Sequence, residues 1–315
     1  MTDPQQVSNI LFQIQEILII VVAAAAPLLI AAIGEVVAER AGVLNLGLEG
    51  MMIVGAATAF AGAYLSDSTI LGVVAGILGG CALAAIFAFL TLGLATNQVA
   101  AGLAMTIFGR GVANLIGANF IGLKRASAPH LYIPGLTDLP LVGKLIFGQD
   151  YFIYFAVVLT GAVSYWLMRT RGGLTLRAVG ENHTSGHSLG VPVRSIRLLA
   201  VLFGGACAGL AGAYLTLVST PYWSPDMTAG KGWIALALVV FASWRPWRAL
   251  GGALLFGGVR VLALVFQGFG VPIPAQLLNS LPYLTTIAVL IFLSVRDRRG
   301  AIAPASLGVA FIPDR

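Results

Sequence analysis

Apolar runs broken by short polar or glycine-rich stretches recur along the whole chain. They fall at about 17–33, 50–64, 70–92, 97–116, 152–168, 198–218, 233–243, 249–265 and 282–295. Each predicts an α-helix, since an unsatisfied backbone has no place in hydrocarbon. Together they predict an all-α, polytopic membrane helix bundle of about nine (eight to ten) transmembrane helices in one domain over residues 1–315. Several runs are shorter than the roughly 20 residues that cross a bilayer alone, and Pro27 and Pro282 fall within or at the start of spans, so broken helices are expected. Gly72 and Gly76, Gly205 and Gly209, with Gly79, Gly80 and Gly212, make small-residue faces where helix backbones can approach.

The stretch Gly34–Gly50, GEVVAERAGVLNLGLEG, interrupts this pattern between the first two runs. From Leu44 it alternates apolar with small or polar residues, a period of two that suits no face of a helix. Extended chain near membrane depth must be covered by protein or line a wet cavity. It reads either as a broken-helix junction or as a juxtamembrane loop, with Glu35 and Glu39 beside Arg40 capping the end of the first span.

A faint internal symmetry sharpens that reading. The spans within 17–116 resemble those within 198–295 in length and order, with one extra span between the sets, as in an inverted repeat. Gly34–Gly50 then corresponds to Ser219–Gly232, and Glu49-Gly50 falls opposite Lys231-Gly232. An ion pair between Glu49 and Lys231 across the pseudo-axis is the expectation. Any bundle of apolar helices can be aligned in this way, so ordinary packing is the competing reading.

Composition and charge agree with a membrane protein. Charged residues are 10% of the chain, against roughly 25% in soluble proteins. The mean hydropathy is +0.94. The net charge of +6 is concentrated in loops, which bears on membrane orientation and not on nucleic acid. Arg169, Arg171, Arg177, Arg194 and Arg197, then Arg245 and Arg248, then Arg296, Arg298 and Arg299 mark cytoplasmic segments. The loop 117–151, with Lys124, Arg125 and Lys144 against Asp138 and Asp150, is then external, as is the N-terminus. MTDPQQVSNILFQIQE lacks a basic start and a small-residue cleavage site, so the first span is expected to remain.

No catalytic grouping stands out. His130, His183 and His187 fall in loops; His183 and His187 are four apart but lack a third metal ligand. Cys81 and Cys207 lie in apolar runs far from any histidine. Gly143-Lys144 and Gly230-Lys231 lack the glycine and hydroxyl of a phosphate-cradling loop, so this chain should not hydrolyse ATP. Arg110 and Arg260 sit inside spans, where ionisable groups are either functional or snorkel to a surface or partner. In the polar segment 169–197, Gly180 and Gly190 bracket a short helix with Asn182 as its N-cap and Pro192 beyond its end.

Three blocks carry a resemblance: ERAGVLNLGLEGMM, the run RAVGEN…LGVPVRSIRLLAVLFGGACAGLAGAYL, and MTAGKGWIALALVVFASW. They resemble the permease subunits of bacterial ABC importers in the branched-chain amino acid, ribose and nucleoside group, most closely the shorter permease of the nucleoside and simple-sugar branch. The resemblance implies a multi-pass protein of the inner (cytoplasmic) membrane, paired with a second permease subunit and embedded in membrane lipid. A cytoplasmic ATPase with two nucleotide-binding cassettes would carry ATP and Mg, and an external binding protein or lipoprotein would deliver a nucleoside or simple sugar. Gly180, Glu181, Asn182 and Gly190 would belong to the ATPase-coupling segment. Asn45, Glu49, Trp223, Lys231 and Trp233 would lie along the path or at the broken-helix junction, where Tyr222 and both tryptophans could stack a ring. The chain departs from the family where His183-Thr184-Ser185 follow GEN in place of Pro and small, alanine-rich residues, so the coupling helix is expected either to start differently or to suit a divergent ATPase. The alternatives are a branched-chain amino acid permease and, from another class, a stand-alone ion-coupled transporter.

Overall fold

A computed structural model describes residues 4–129, 131–132, 134–137, 143–268, 274–296 and 303–312. His130, Asp138, Arg298 and Arg299 lie outside these. The described helices are α1 (Pro4–Arg40), α2 (Leu48–Ser66), α3 (Thr69–Ala88), α4 (Gln98–Gly117), α5 (Gly143–Phe147), α6 (Tyr151–Arg169), α7 (Arg171–Glu181), α8 (His183–Ser188), α9 (Val193–Tyr214), α10 (Lys231–Phe241), α11 (Pro246–Gly268) and α12 (Ala275–Arg296). β pairing among the described residues is confined to two isolated bridges, Ile121 with Trp223 and Lys124 with Tyr222.

Seven described segments are long and apolar enough to cross a membrane: 12–40, 48–66, 69–93, 98–120, 151–169, 193–219 and 246–268. The expected count of about nine is not reached on that measure. The run at 233–243 is a helix of 11 residues, about 16 Å long and half a crossing. The first span also runs further than its apolar run suggests. Gly34–Arg40 is helical, and the chain leaves the helix only at Ala41-Gly42, where Gly42 takes φ +87°. A left-handed glycine is the usual helix stop, and here its N–H returns to the Glu39 carbonyl at 2.9 Å.

Several helix starts carry side-chain caps. Ser68, Asn97, Asp150 and Asn182 each accept a backbone N–H three residues ahead. The interior is built on α1, α2, α3 and α9. Gly55, Gly76, Gly80, Gly205, Gly209 and Gly212 bring α2, α3 and α9 so close that a Cβ at any of them would meet a neighbouring backbone. Small residues drive helix association where lipid offers no hydrophobic gain. Gly79 sits instead against Thr58, and Gly72 against Ala63 and Ala59.

Candidate functional site

Two non-helical segments enter the bundle and meet. The first, 41–47, joins α1 to α2; the second, 220–230, joins the end of α9 to α10. Backbone donors in such segments need partners, and side chains supply them in the first. Leu44 N–H donates to Gln98 Oε1, Asn45 N–H to Glu35 Oε1, and Gly47 N–H to Asn45 Oδ1. Thr106 Oγ1 donates to the Leu46 carbonyl at 2.9 Å. Asn45 is wholly buried, and its amide also points at Met51 Sδ.

Glu49, in the first turn of α2, closes the contact between the segments. Its Oε1 accepts from Thr228 Oγ1 at 2.6 Å and from Gly230 N–H at 2.9 Å, and its Oε2 accepts from Gly232 N–H at 2.6 Å. Gly230 is the N-cap residue of α10, with φ +79°, and it has no side chain to cap the helix. The carboxylate of another helix therefore does the capping, where orphan N–H groups and the helix dipole both favour negative charge. Gly232 lies so near Glu49 that an added Cβ would come within 2.6 Å of its Cα.

The expected Glu49–Lys231 ion pair is not formed. Lys231 Nζ donates instead to the Met227 and Thr228 carbonyls, at 3.1 and 3.2 Å. Glu49 is instead approached by a hydroxyl and two backbone amides, while the Lys231 ammonium turns back onto the carbonyls of its own segment. Lys231 lines a cavity of about 520 Å³ with Asp150, Tyr214, Tyr222, Ser224 and Arg260. Tyr214 O–H donates to Asp150 Oδ2 at 3.1 Å. Arg260 also borders a second cavity of about 370 Å³, lined by Gln267 and Pro282. Trp223 does not face the first cavity; it is buried against Gly117 of α4. Trp233 is half-buried on the first turn of α10. Arg110, also inside a span, pairs with Asp226 at 3.5 Å, both side chains being about half exposed or more.

Gly180, Glu181, Asn182 and Gly190 lie together in a polar projection of α7 and α8. Asn182 caps α8, accepting from Ser185 N–H at 2.9 Å, and Gly190 takes φ +79° beyond its end. Gly180 is the last but one residue of α7 and not a helix boundary; it packs on the Arg40 carbonyl, where a Cβ would clash. The projection thus touches the turn that leads to Glu49.

Sequence reasoning missed several residues at this end. Glu35 and Glu39 are fully buried and cap nothing; Glu39 accepts the Trp244 indole N–H, while Arg40 Nε donates to the Trp244 carbonyl. Trp244 is buried accordingly. Arg197, which reads as one more charge in a basic loop, is wholly buried. Its guanidinium reaches the Ala41 carbonyl at 3.0 Å, the Val309 carbonyl at 3.0 Å and His183 Nδ1 at 3.2 Å. Burial first, and then the Arg197 charge, hold the His183 imidazole below its ordinary pKa. A signal existed in part: Arg197 lies three residues after Arg194, where the apolar run of α9 has already begun.

A sequence profile described as "Branched-chain amino acid transport system / permease component" matches residues 17–293. The chain belongs to this family. The permease is similar to a Haloferax volcanii protein named as the permease of a glucose ABC transporter, 40% identical over 90% of this chain and 93% of that one. A guanosine ABC transporter permease of Bacillus subtilis is 32% identical over 91% and 93%. A nucleoside ABC transporter permease of Lactococcus lactis is 31% identical over 92% and 94%. A solved inward-facing ABC transporter, described as of the metal-chelate type, superposes with a TM-score of 0.50 at 15% identity, over 89% of this chain and 86% of that one. That likeness concerns the fold. This chain is an ABC transporter permease, and the stand-alone ion-coupled reading falls with that membership.

Proposed function

We propose that this permease carries a nucleoside or a simple sugar inward across the inner (cytoplasmic) membrane of a bacterium, as one half of a pair with a second permease subunit. A cytoplasmic ATPase with two nucleotide-binding cassettes docks on the α7–α8 projection and supplies ATP and Mg. An extracytoplasmic binding protein or lipoprotein delivers the solute, and carries most of the selectivity. Asn45, Glu49, Trp223, Lys231 and Trp233 hold or border the junction beside the path. Gly180, Glu181, Asn182 and Gly190 couple it to the motor.

The observation that carries this reading is the cavity beside the Glu49 clasp. Its volume of about 520 Å³ falls within the roughly 300–1,000 Å³ of small-molecule sites. Its lining offers hydroxyl, ammonium and carboxylate groups to a polyhydroxylated solute, and the Tyr222 ring offers a stacking face. The relatives named for glucose, guanosine and nucleosides support the same substrate range.

The test is uptake by proteoliposomes holding the whole importer, with labelled guanosine, glucose and leucine in parallel. ATP-dependent uptake of guanosine or glucose is expected. Uptake of leucine alone would identify a branched-chain amino acid permease instead.

A further inference from the structure

The segment 303–312 folds back across the α7–α8 projection and binds it to the turn after α1. Ser306 N–H donates to the Gly180 carbonyl at 2.9 Å, and Ser306 Oγ to the Glu181 carbonyl at 3.3 Å. Ala305 N–H reaches Glu181 Oε2 at 3.4 Å, and Gly308 N–H reaches the Gly42 carbonyl at 3.3 Å. At its far end Phe311 is buried with Val179 and Val193, and its ring meets those of His183 and His187 edge-on at 5.3 Å each. Arg197 ties the three parts at one point, because its fork donates to Ala41, to Val309 of this segment and to His183 of α8.

We propose that residues 303–312 act as a strap that positions the projection for coupling, with Phe311 and Arg197 as its positioning residues. The inference rests on the docking of the ATPase at α7–α8. Most of α8 is exposed, and Leu189 at its end is 84% exposed, so α8 could rock freely on its own. The strap removes that freedom. It gives α7, α8 and the Ala41–Leu44 turn a common set of hydrogen bonds and one aromatic plug, so a displacement of α8 reaches Glu49 and α10 and is not spent in the loop. Arg197 suits this role as Lys could not, since a planar fork of five donors can serve three acceptors in fixed directions. A buried guanidinium with only carbonyls and an imidazole for partners is tolerable while all three stay in place.

The experiment uses the full importer in nanodiscs or proteoliposomes and reads solute transported per ATP hydrolysed. A photo-crosslinker at Leu189 reports docking of the ATPase. In Phe311→Ala, crosslinking at Leu189 and ATP hydrolysis are expected to persist while solute moved per ATP falls about tenfold, the scale of an ordinary coupling between sites. Phe311→Tyr, which keeps the ring, restores the ratio, and Arg197→Lys lowers it. Should Phe311→Ala fail to assemble, Ser306→Pro, which removes the N–H donated to Gly180, reads the same ratio. An unchanged ratio in these variants with crosslinking intact overturns the strap alone. Absence of any crosslink from Leu189 to the ATPase in the parent importer overturns the docking reading, and the strap with it.

Discussion

At Glu49 one carboxylate serves three donors from the opposite segment. Its removal leaves Thr228 Oγ1, Gly230 N–H and Gly232 N–H without it, at about 1–3 kcal/mol for each orphaned buried donor. Glu49→Ala should therefore lower the melting temperature of the purified permease by several degrees and abolish uptake. Lys231→Met, which frees only two carbonyls, should cost less on both readings. Since no ion pair joins the two residues, the double reversal Glu49→Lys with Lys231→Glu should not rescue uptake; rescue would overturn the Glu49 clasp. This residue-scale result was half legible. The symmetry of Gly34–Gly50 with Ser219–Gly232 put Glu49 at a junction, but charge alone suggested the wrong partner. Backbone N–H groups carry no signature in a sequence, so the true acceptor role could not be read there.

His183 offers a second test at the same scale. Arg197 can only donate, so the imidazole must accept at Nδ1 and be neutral. Its folded-state pKa is lowered by burial and by Arg197. For a base depressed in the folded state, the unfolded chain binds the proton first as pH falls. The stabilisation is thus present above the unfolded value, about 6.5, and is lost as pH drops through it and then through the folded value. Thermal melts from about pH 7 to pH 5 should show a steeper loss in the parent than in His183→Gln, which accepts without titrating. Equal slopes would show that the contact with Arg197 tolerates the proton.

At the scale of elements, the apolar runs announced the helices because a bilayer demands such runs, and most observed bounds lie within a few residues of them, whereas α1 spans Pro4–Arg40 around the run at 17–33 and α12 begins at Ala275 ahead of the run at 282–295. α1 continues to Arg40 because Glu35 and Glu39 are matched by Asn45 and Trp244, contacts made across the fold. Two acids near the end of an apolar run look like a loop until those partners are known. The glycine faces, by contrast, were legible, since small residues repeated on one helix side have few other uses in lipid. Gly209→Val should test that packing. The new side chain would press on the Gly76 backbone and Gly80, at about 1–3 kcal/mol or more, and should lower the melting temperature clearly. Gly111→Ala in α4 meets nothing within 4 Å and should be neutral or stabilising, so equal losses would deny the close approach of α3 and α9.

For the whole molecule, a few long-range contacts fix which ends share a face. The strap residues Ser306 and Gly308 bind Gly180 and Gly42, so the strap, α7 and the end of α1 lie together. At the other end of α4, Ile121 and Lys124 pair with Trp223 and Tyr222. Ala128 N–H donates to the Leu217 carbonyl and Leu131 N–H to the Gln149 carbonyl, which ties the segment after α5 to that second group, and Lys144 of α5 sits over the Phe12 ring, 5.5 Å from its centroid, so the start of α1 belongs there too. The start of α1 and the strap are therefore on opposite faces, which requires an odd number of net crossings between them. The half-length α10 satisfies this only together with the descending segment 220–230, the two making one broken crossing that meets Glu49 midway. Arg169, Arg171, Arg177 and Arg194 all sit on the strap face, which the positive-inside rule assigns to the cytoplasm. In a Cys81→Ser, Cys207→Ser background, a cysteine at Lys124 should react with an impermeant maleimide in intact cells. A cysteine at Leu189 should react only after permeabilisation. The reverse pattern would invert the molecule and place the α7–α8 projection out of reach of any cytoplasmic ATPase, so this labelling decides the sidedness on which the coupling argument stands.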